Sequence, residues 1–294
     1  MEKGQVSNME LLLIARILIA LVGTGIAAWY DICNKKDVPD KFLYTFLAIA
    51  IIINIFDYSQ VISRLPLAAL LLIVLFLMYK FGQLGGADLI VLAAIYFSLP
   101  VMTSPLLSQA SAPVAEILAL PSLFTILALS VVLCALYLAI KFGPKIAADT
   151  AKRKVKFKLV NIIMGVIMLI VYCFLLFMII QLSSIIPVSV IHIAFLTLIV
   201  ILVFFFSLYK DVLLQYMIIW KKKIAPEEVI MLEALPLALV QRMHLGRLVT
   251  PQQMKKMNKL GRKWPVLDLP AFLPFILIAL VFYILLGDSI LFFV

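Results

Sequence analysis

Charge, histidine and cysteine are all scarce in this chain of 294 residues. Charged side chains make up 14% of it, with two histidines and three cysteines. A soluble domain of this length would need far more polar cover, so that class is excluded. Cys33, Cys134 and Cys173 are scattered and form no CxxC, which argues against a disulfide framework. His192 and His244 fall in segments expected on opposite sides of a membrane, so no joint metal site is expected. No Ser-His-Asp set and no phosphate-cradling loop is evident. The alternating ten-residue segments of a transmembrane barrel are missing too.

What the chain does have is apolar. Hydrophobic residues make up 65% of it, and the mean hydropathy is +1.19. Apolar runs of span length recur, so the expected fold class is all-α, a polytopic transmembrane helical bundle. Eight spans are expected, near 10–30, 42–57, 64–80, 88–103, 121–141, 159–181, 187–209 and 268–287.

Basic residues sort the loops between these spans. Residues 31–41 carry Lys35, Lys36 and Lys41, and Lys80 follows the third span. Seven basic residues lie between Lys141 and Lys158, and eleven between Lys210 and Lys263. The 103–120 loop has none. Alternate loops are therefore basic, which places 31–41, 80–87, 141–158 and 210–268 in the cytosol and both termini outside. This topology accounts for the net charge of +10. Contact with anionic lipid headgroups follows from it, and no nucleic-acid partner is needed.

The first span is expected to be a retained helix. Its leading segment holds Glu2, Lys3 and Glu10, so it lacks the basic start of a signal peptide. Arg16 within it is expected to snorkel or to pair inside the bundle. The expected organisation is a membrane core over 1–158, an additional hairpin over 159–209, a basic membrane-associated segment over 210–267 and a final helix over 268–294. Within the third of these, "TPQQMKKMNKLGRKW" carries the marks of a short basic surface helix. Thr250 suits the N-cap, Pro251 the first position, Gln253 the capping box and Gly261 the stop. Trp264 is expected to meet headgroups.

The aspartates carry the chemistry. The first span runs inward and ends at "AAWYDICNKKDVPDKFL", which sets Asp31 at its cytosolic end. The fourth runs outward from "FGQLGGADLI", which sets Asp88 at its cytosolic start. Two helices of opposite direction thus bring a carboxylate to one membrane level. Two carboxylates held close in a partly dry site share a proton. The ionised member can take a proton from water while the protonated one polarises a peptide carbonyl. Gly85 and Gly86, and the small Ala87, let a helix or an extended substrate approach beside Asp88. For a single aspartate, an interfacial position or a helix N-terminus would be explanation enough. The pairing favours a catalytic role.

"WYDICNKKDVPD" and "GGAD" resemble the two aspartate motifs of the type IV prepilin peptidases, the GxGD membrane aspartyl proteases. The archaeal preflagellin (prearchaellin) peptidases look closest. The first motif is Asp31, then Lys35 and Lys36, then Val38-Pro39-Asp40. The likeness covers residues 10–145 well and 265–294 loosely. Ala87 stands where the family has glycine, and the 159–209 hairpin has no counterpart in its six-helix members. The bacterial relatives' cysteine-rich domain and its N-methyltransferase role have no counterpart here either.

The resemblance implies an aspartic endopeptidase of the plasma membrane, with Asp31 and Asp88 catalytic and with neither cofactor nor metal. The implied substrates are pilin-like or archaellin-like precursors of a type IV pilus or archaellum. Their short basic leader would be cut at the cytosolic border. Asp37 and Asp40 would meet that leader, with Glu227, Glu228 and Glu233 as other candidates. Lys35 and Lys36 would repel it. Three rivals stand beside this reading. They are a presenilin or signal-peptide-peptidase type of intramembrane protease, a transporter using the same aspartates as ion sites, and an inactive scaffold of an assembly machine.

Overall fold

The computed structural model describes residues 2–34, 37–54, 58–80, 84–99, 122–152, 155, 157–182, 190–225, 228–243, 245–246 and 249–286. Lys35, Lys36, Glu227 and His244, and the 103–120 loop, lie outside the described residues.

Among the described residues, helices fall on the apolar runs. They are α1 (Glu2–Cys33), α2 (Asp40–Ile52), α3 (Tyr58–Lys80), α4 (Gly86–Ser98), α5 (Ser122–Ala151), α6 (Leu159–Leu182), α7 (Val190–Met217) and, at the end of the chain, α10 (Leu273–Leu286). Four are long and apolar enough to cross a membrane, over Leu11–Cys33, Leu123–Ala151, Leu159–Met178 and Ile193–Met217. These mark a multi-pass membrane protein. The other four helices are shorter than the expected spans or carry shorter apolar stretches. At 1.5 Å per residue, α2 and α4 are each only about 20 Å long.

α4 is the centre of the bundle. Val91, Leu92, Ala93, Ala94 and Ile95 are all buried, so it hides every face rather than one stripe. It packs against α1, α2, α3 and α5, while α10 closes the bundle against α1 and α5. Asn54 fastens the far end. Its amide donates to the carbonyl of Phe97 at 2.8 Å and to that of Ala50 at 2.8 Å, tying the end of α2 to that of α4. Arg16 does not snorkel: it is 2% exposed and lies inside the bundle.

α1 and α2 come close at Gly23. A Cβ there would stand 2.2 Å from the ring of Phe46, itself a buried core residue. Gly23→Ala is therefore expected to destabilise the bundle by about 1–3 kcal/mol through overpacking. Phe46→Leu in the same chain should recover part of the loss, because the two sites share one contact. Thermal unfolding in detergent of the two single variants and the double variant checks this; additive losses would contradict it.

α6 and α7 form an antiparallel pair that leans on α5 through α7. Tyr172 and Thr197 share a hydrogen bond of 2.6 Å across the pair, and Ser207 Oγ donates to the carbonyl of Asn161 at 3.3 Å. Ile163, Ile170, Phe174 and Phe177 stay exposed on α6, as befits a lipid-facing helix. α7 does not stop near residue 209. It runs on through Lys210 and Asp211 to Met217, and Asp211 there meets Lys158 Nζ at 3.0 Å.

After α7 the chain builds a second, smaller core. Strand β1 (Ile218–Lys221) pairs antiparallel with β2 (Trp264–Leu267), from Ile218 opposite Leu267 to Lys221 opposite Trp264. Between them lie a short 3-10 turn (Leu232–Ala234), α8 (Leu237–Met243) and α9 (Pro251–Lys259). Ile224, Ile230, Val249, Met257, Trp264 and Val266 pack together there. α9 is capped as its sequence indicates. Thr250 Oγ1 accepts from the Gln253 N–H at 3.3 Å, and Gln253 Oε1 accepts from the Thr250 N–H at 3.0 Å. Gly261, at φ +61°, takes the left-handed turn after it.

Trp264 departs from expectation. It is fully buried in this small core and donates its indole N–H to the Met257 carbonyl at 3.3 Å. Arg262 covers its ring at 5.2 Å. Its apolar neighbours claim the ring before any headgroup can. The exposed tryptophan of the segment is Trp220.

Candidate functional site

The α1 end that carries Asp31 meets the start of α4. Gly85 is the N-cap of α4, in an extended conformation, and Asp88 is the third helical residue. That spacing lets the side chain turn back, and Asp88 Oδ2 accepts the Gly85 N–H at 3.0 Å. The bond satisfies a backbone donor that the helix cannot. The positive end of the helix dipole also favours the charge.

Asp31 is in the opposite position, near the C-terminus of its own helix, where a carboxylate meets the negative end of the dipole. A second helix compensates. Leu273, the first residue of α10, donates its N–H to Asp31 Oδ2 at 3.1 Å in a buried contact. Asp31 is 7% exposed and Asp88 is half-buried. Each carboxyl thus has its Oδ2 oriented by a backbone N–H at a helix N-terminus. α1 and α4 pack together.

The small residues before Asp88 have separate tasks. A Cβ on Gly85 would come 3.1 Å from Asp88 Oδ2, so glycine is what leaves the carboxylate its place. Gly86 opens α4. Ala87 is an ordinary helical residue packed against the core, so no glycine-only backbone angle is required at that position. Gly85→Ala is expected to displace the Asp88 carboxylate by a few tenths of an ångström. With Asp88 taken as a catalytic acid, as proposed below, turnover should fall several-fold, short of the roughly 10²-fold that a 1 Å misplacement can cost. Turnover by Gly86→Ala, measured alongside, should change less; a reversed order would contradict this assignment.

Asp37 and Asp40 lie exposed on the turn after α1. Asn34 closes that turn by donating to the Asp37 carbonyl at 2.8 Å, and Val38 anchors it in the core. Asp40 stands in the first turn of α2, where a negative charge suits the helix. Glu228 is engaged locally, with Lys221 Nζ at 2.6 Å and the Ala225 N–H at 3.1 Å.

One partner of the pair was not read from the sequence, the Leu273 N–H. Pro270 and Pro274 could have marked the start of a helix, but no local signal pairs it with a side chain 242 positions away. Among the described residues no group of three histidine, cysteine or acidic side chains converges as a metal site would require.

No family model, no curated protein and no solved structure matches this chain.

Proposed function

We propose that this chain is a membrane aspartyl endopeptidase of the prepilin and preflagellin type. It removes the short basic leader of pilin-like or archaellin-like precursors at the cytosolic border of the plasma membrane. In this reading eight helices cross or enter the bilayer, both termini lie outside, and anionic lipids contact the basic loops. One observation carries the proposal. Asp31 and Asp88, remote in sequence, lie on two helices that pack together, and each carboxyl accepts a backbone N–H.

The chemistry follows from that pair. The ionised carboxylate takes a proton from a water molecule as the water oxygen bonds to the scissile carbonyl carbon. The protonated carboxyl gives its proton to the carbonyl oxygen. As the C–N bond breaks, the departing nitrogen receives the proton first taken from water. The exposed Asp37 and Asp40 stand where a basic leader would arrive.

The experiment is co-expression with a pilin-type precursor, read as the size of the precursor in isolated membranes. The expected result is a product shortened by its leader. An intact precursor beside abundant protein overturns the proposal.

A transporter reading has one observation behind it. Arg16, Thr24, Ser98, Thr125 and Ser130 are buried polar residues within the bundle. However, Ser98 and Ser130 spend their hydroxyl protons on the carbonyls of Ala94 and Ile126 in their own helices. Such back-bonding is a structural use of the side chain. Ion flux that is lost in Asp31→Asn while cleavage persists would favour the transporter.

A further inference from the structure

The small core carries a sheet edge that the chain leaves open. β2 is paired along both of its sides. β1 lies along one. On the other, the Met231 N–H donates to the Pro265 carbonyl at 3.0 Å and the Leu267 N–H donates to the Val229 carbonyl at 2.8 Å. Among the described residues β1 is paired on one side alone.

A proline fixes which groups face the open side. Residues directly opposite in an antiparallel pair alternate between exchanging both hydrogen bonds and turning both groups away. Trp220 stands opposite Pro265, which has no N–H and whose carbonyl serves Met231. Leu267, opposite Ile218, likewise turns its N–H to Val229. Ile219 and Lys221 therefore bond to β2, and the N–H and carbonyl of Trp220 point outward. No described residue meets these two groups. Little else blunts the edge. β1 holds no proline, its register against β2 is unbroken, and its one lysine is engaged by Glu228. Ile219 and Trp220 are about half exposed.

We propose that this edge receives an extended stretch of another polypeptide as an added strand. The occupant must offer a donor and an acceptor at strand spacing. A peptide main chain does so whatever its side chains, whereas a lipid phosphate offers acceptors only. The Trp220 ring is available to a cross-strand neighbour. With four residues, β1 makes few such bonds, so docking is selective for backbone form and readily reversed. The edge is also continuous with the acidic pair. Five residues separate β2 from Leu273, whose N–H meets Asp31. A chain held extended keeps its amide bonds open to attack, while a helix closes them in its own hydrogen bonds. Delivery of the docked chain to Asp31 and Asp88 rests on the peptidase reading; the docking itself does not.

The test uses full-length Asp31→Asn protein in nanodiscs of neutral lipid. The probe is a fluorescent nonapeptide of alternating threonine and valine, which carries no basic residue. Methylating every second amide nitrogen leaves one edge of the peptide free and is expected to change affinity by less than about threefold. Methylating every amide nitrogen should abolish binding. These peptides test the edge without altering the chain. Trp220→Ala keeps the outward N–H and should weaken binding only a few-fold. Trp220→Pro removes that N–H at a position where an edge strand tolerates proline, and should weaken it at least tenfold. Binding of the fully methylated peptide, or no binding of any peptide, overturns the proposal. So does a Trp220→Pro variant that turns from dimer to monomer with peptide affinity unchanged, which would assign the edge to a second copy of the chain. Cleavage assays with Asp31 restored separate the two readings. Docking as expected without cleavage of any precursor removes the peptidase and leaves the edge. Cleavage with KM unchanged in Trp220→Pro leaves the peptidase and overturns delivery through the edge.

Discussion

Asp31→Asn and Asp88→Asn are each expected to abolish precursor processing while the protein stays folded in the membrane. The reason is a separation of structure from chemistry. An asparagine carbonyl at 31 can still accept the Leu273 N–H, and one at 88 can still accept the Gly85 N–H. The N-terminal bond of α4 and the docking of α10 on α1 are both kept. What is lost is proton transfer, and general acid–base catalysis is worth about 10²–10⁴-fold. Both variants should therefore show wild-type abundance and a cleavage rate lower by about that factor. Normal cleavage by both asparagine variants would remove the peptidase reading.

Trp264→Ala has the largest expected effect on stability. The side chain is fully buried, it bridges β2 to the end of α9 through Met257, and it lies at the heart of a core with few members. Truncation of a buried tryptophan costs about 3–5 kcal/mol. A core this small has little reserve against such a loss. Residues 218–267 should then unfold locally while the bundle persists. Limited proteolysis will check this, with new cuts expected in that segment and protection elsewhere. Cleavage of precursor should fall as well. β2 leads directly into α10, and the Asp268 N–H is tied to the Met217 carbonyl at 2.8 Å. Loosening that joint releases the strand that aims the Leu273 N–H at Asp31. An unchanged proteolytic pattern would contradict this.

Much of the bundle was legible because its determinants are local. Runs of apolar residues fall on helices, four of them long enough to cross a membrane among the described residues, and the caps of α9 could be read from Thr250, Pro251, Gln253 and Gly261. The expectation that Asp31 and Asp88 share one membrane level has a different source. Span order and loop charge alone set two helix ends at one level. Long-range packing was less visible. Nothing near Gly23 announces that Phe46 lies against it. Trp264 has lysine and arginine neighbours in sequence, and these read as an interface, yet Ile230, Met257 and Val266 enclose it. α7 runs past Lys210 and Asp211 because Lys158 and Asn161, about fifty positions earlier, meet the aspartate. Such partners are set by the fold, and a local window does not contain them.

The convergence of the two acids is tested most directly by cross-linking. Cys33, Cys134 and Cys173 are first replaced by alanine. Asp31→Cys and Asp88→Cys are then introduced together, and membranes are treated with a short bismaleimide. A protease site inserted between Ile52 of α2 and Tyr58 of α3 reports the bridge between the two halves of the chain. The expected result is that the halves stay joined after proteolysis only when both cysteines are present. Halves that separate despite full labelling of both cysteines, or labelling of the two from opposite faces of the membrane, would contradict a shared site.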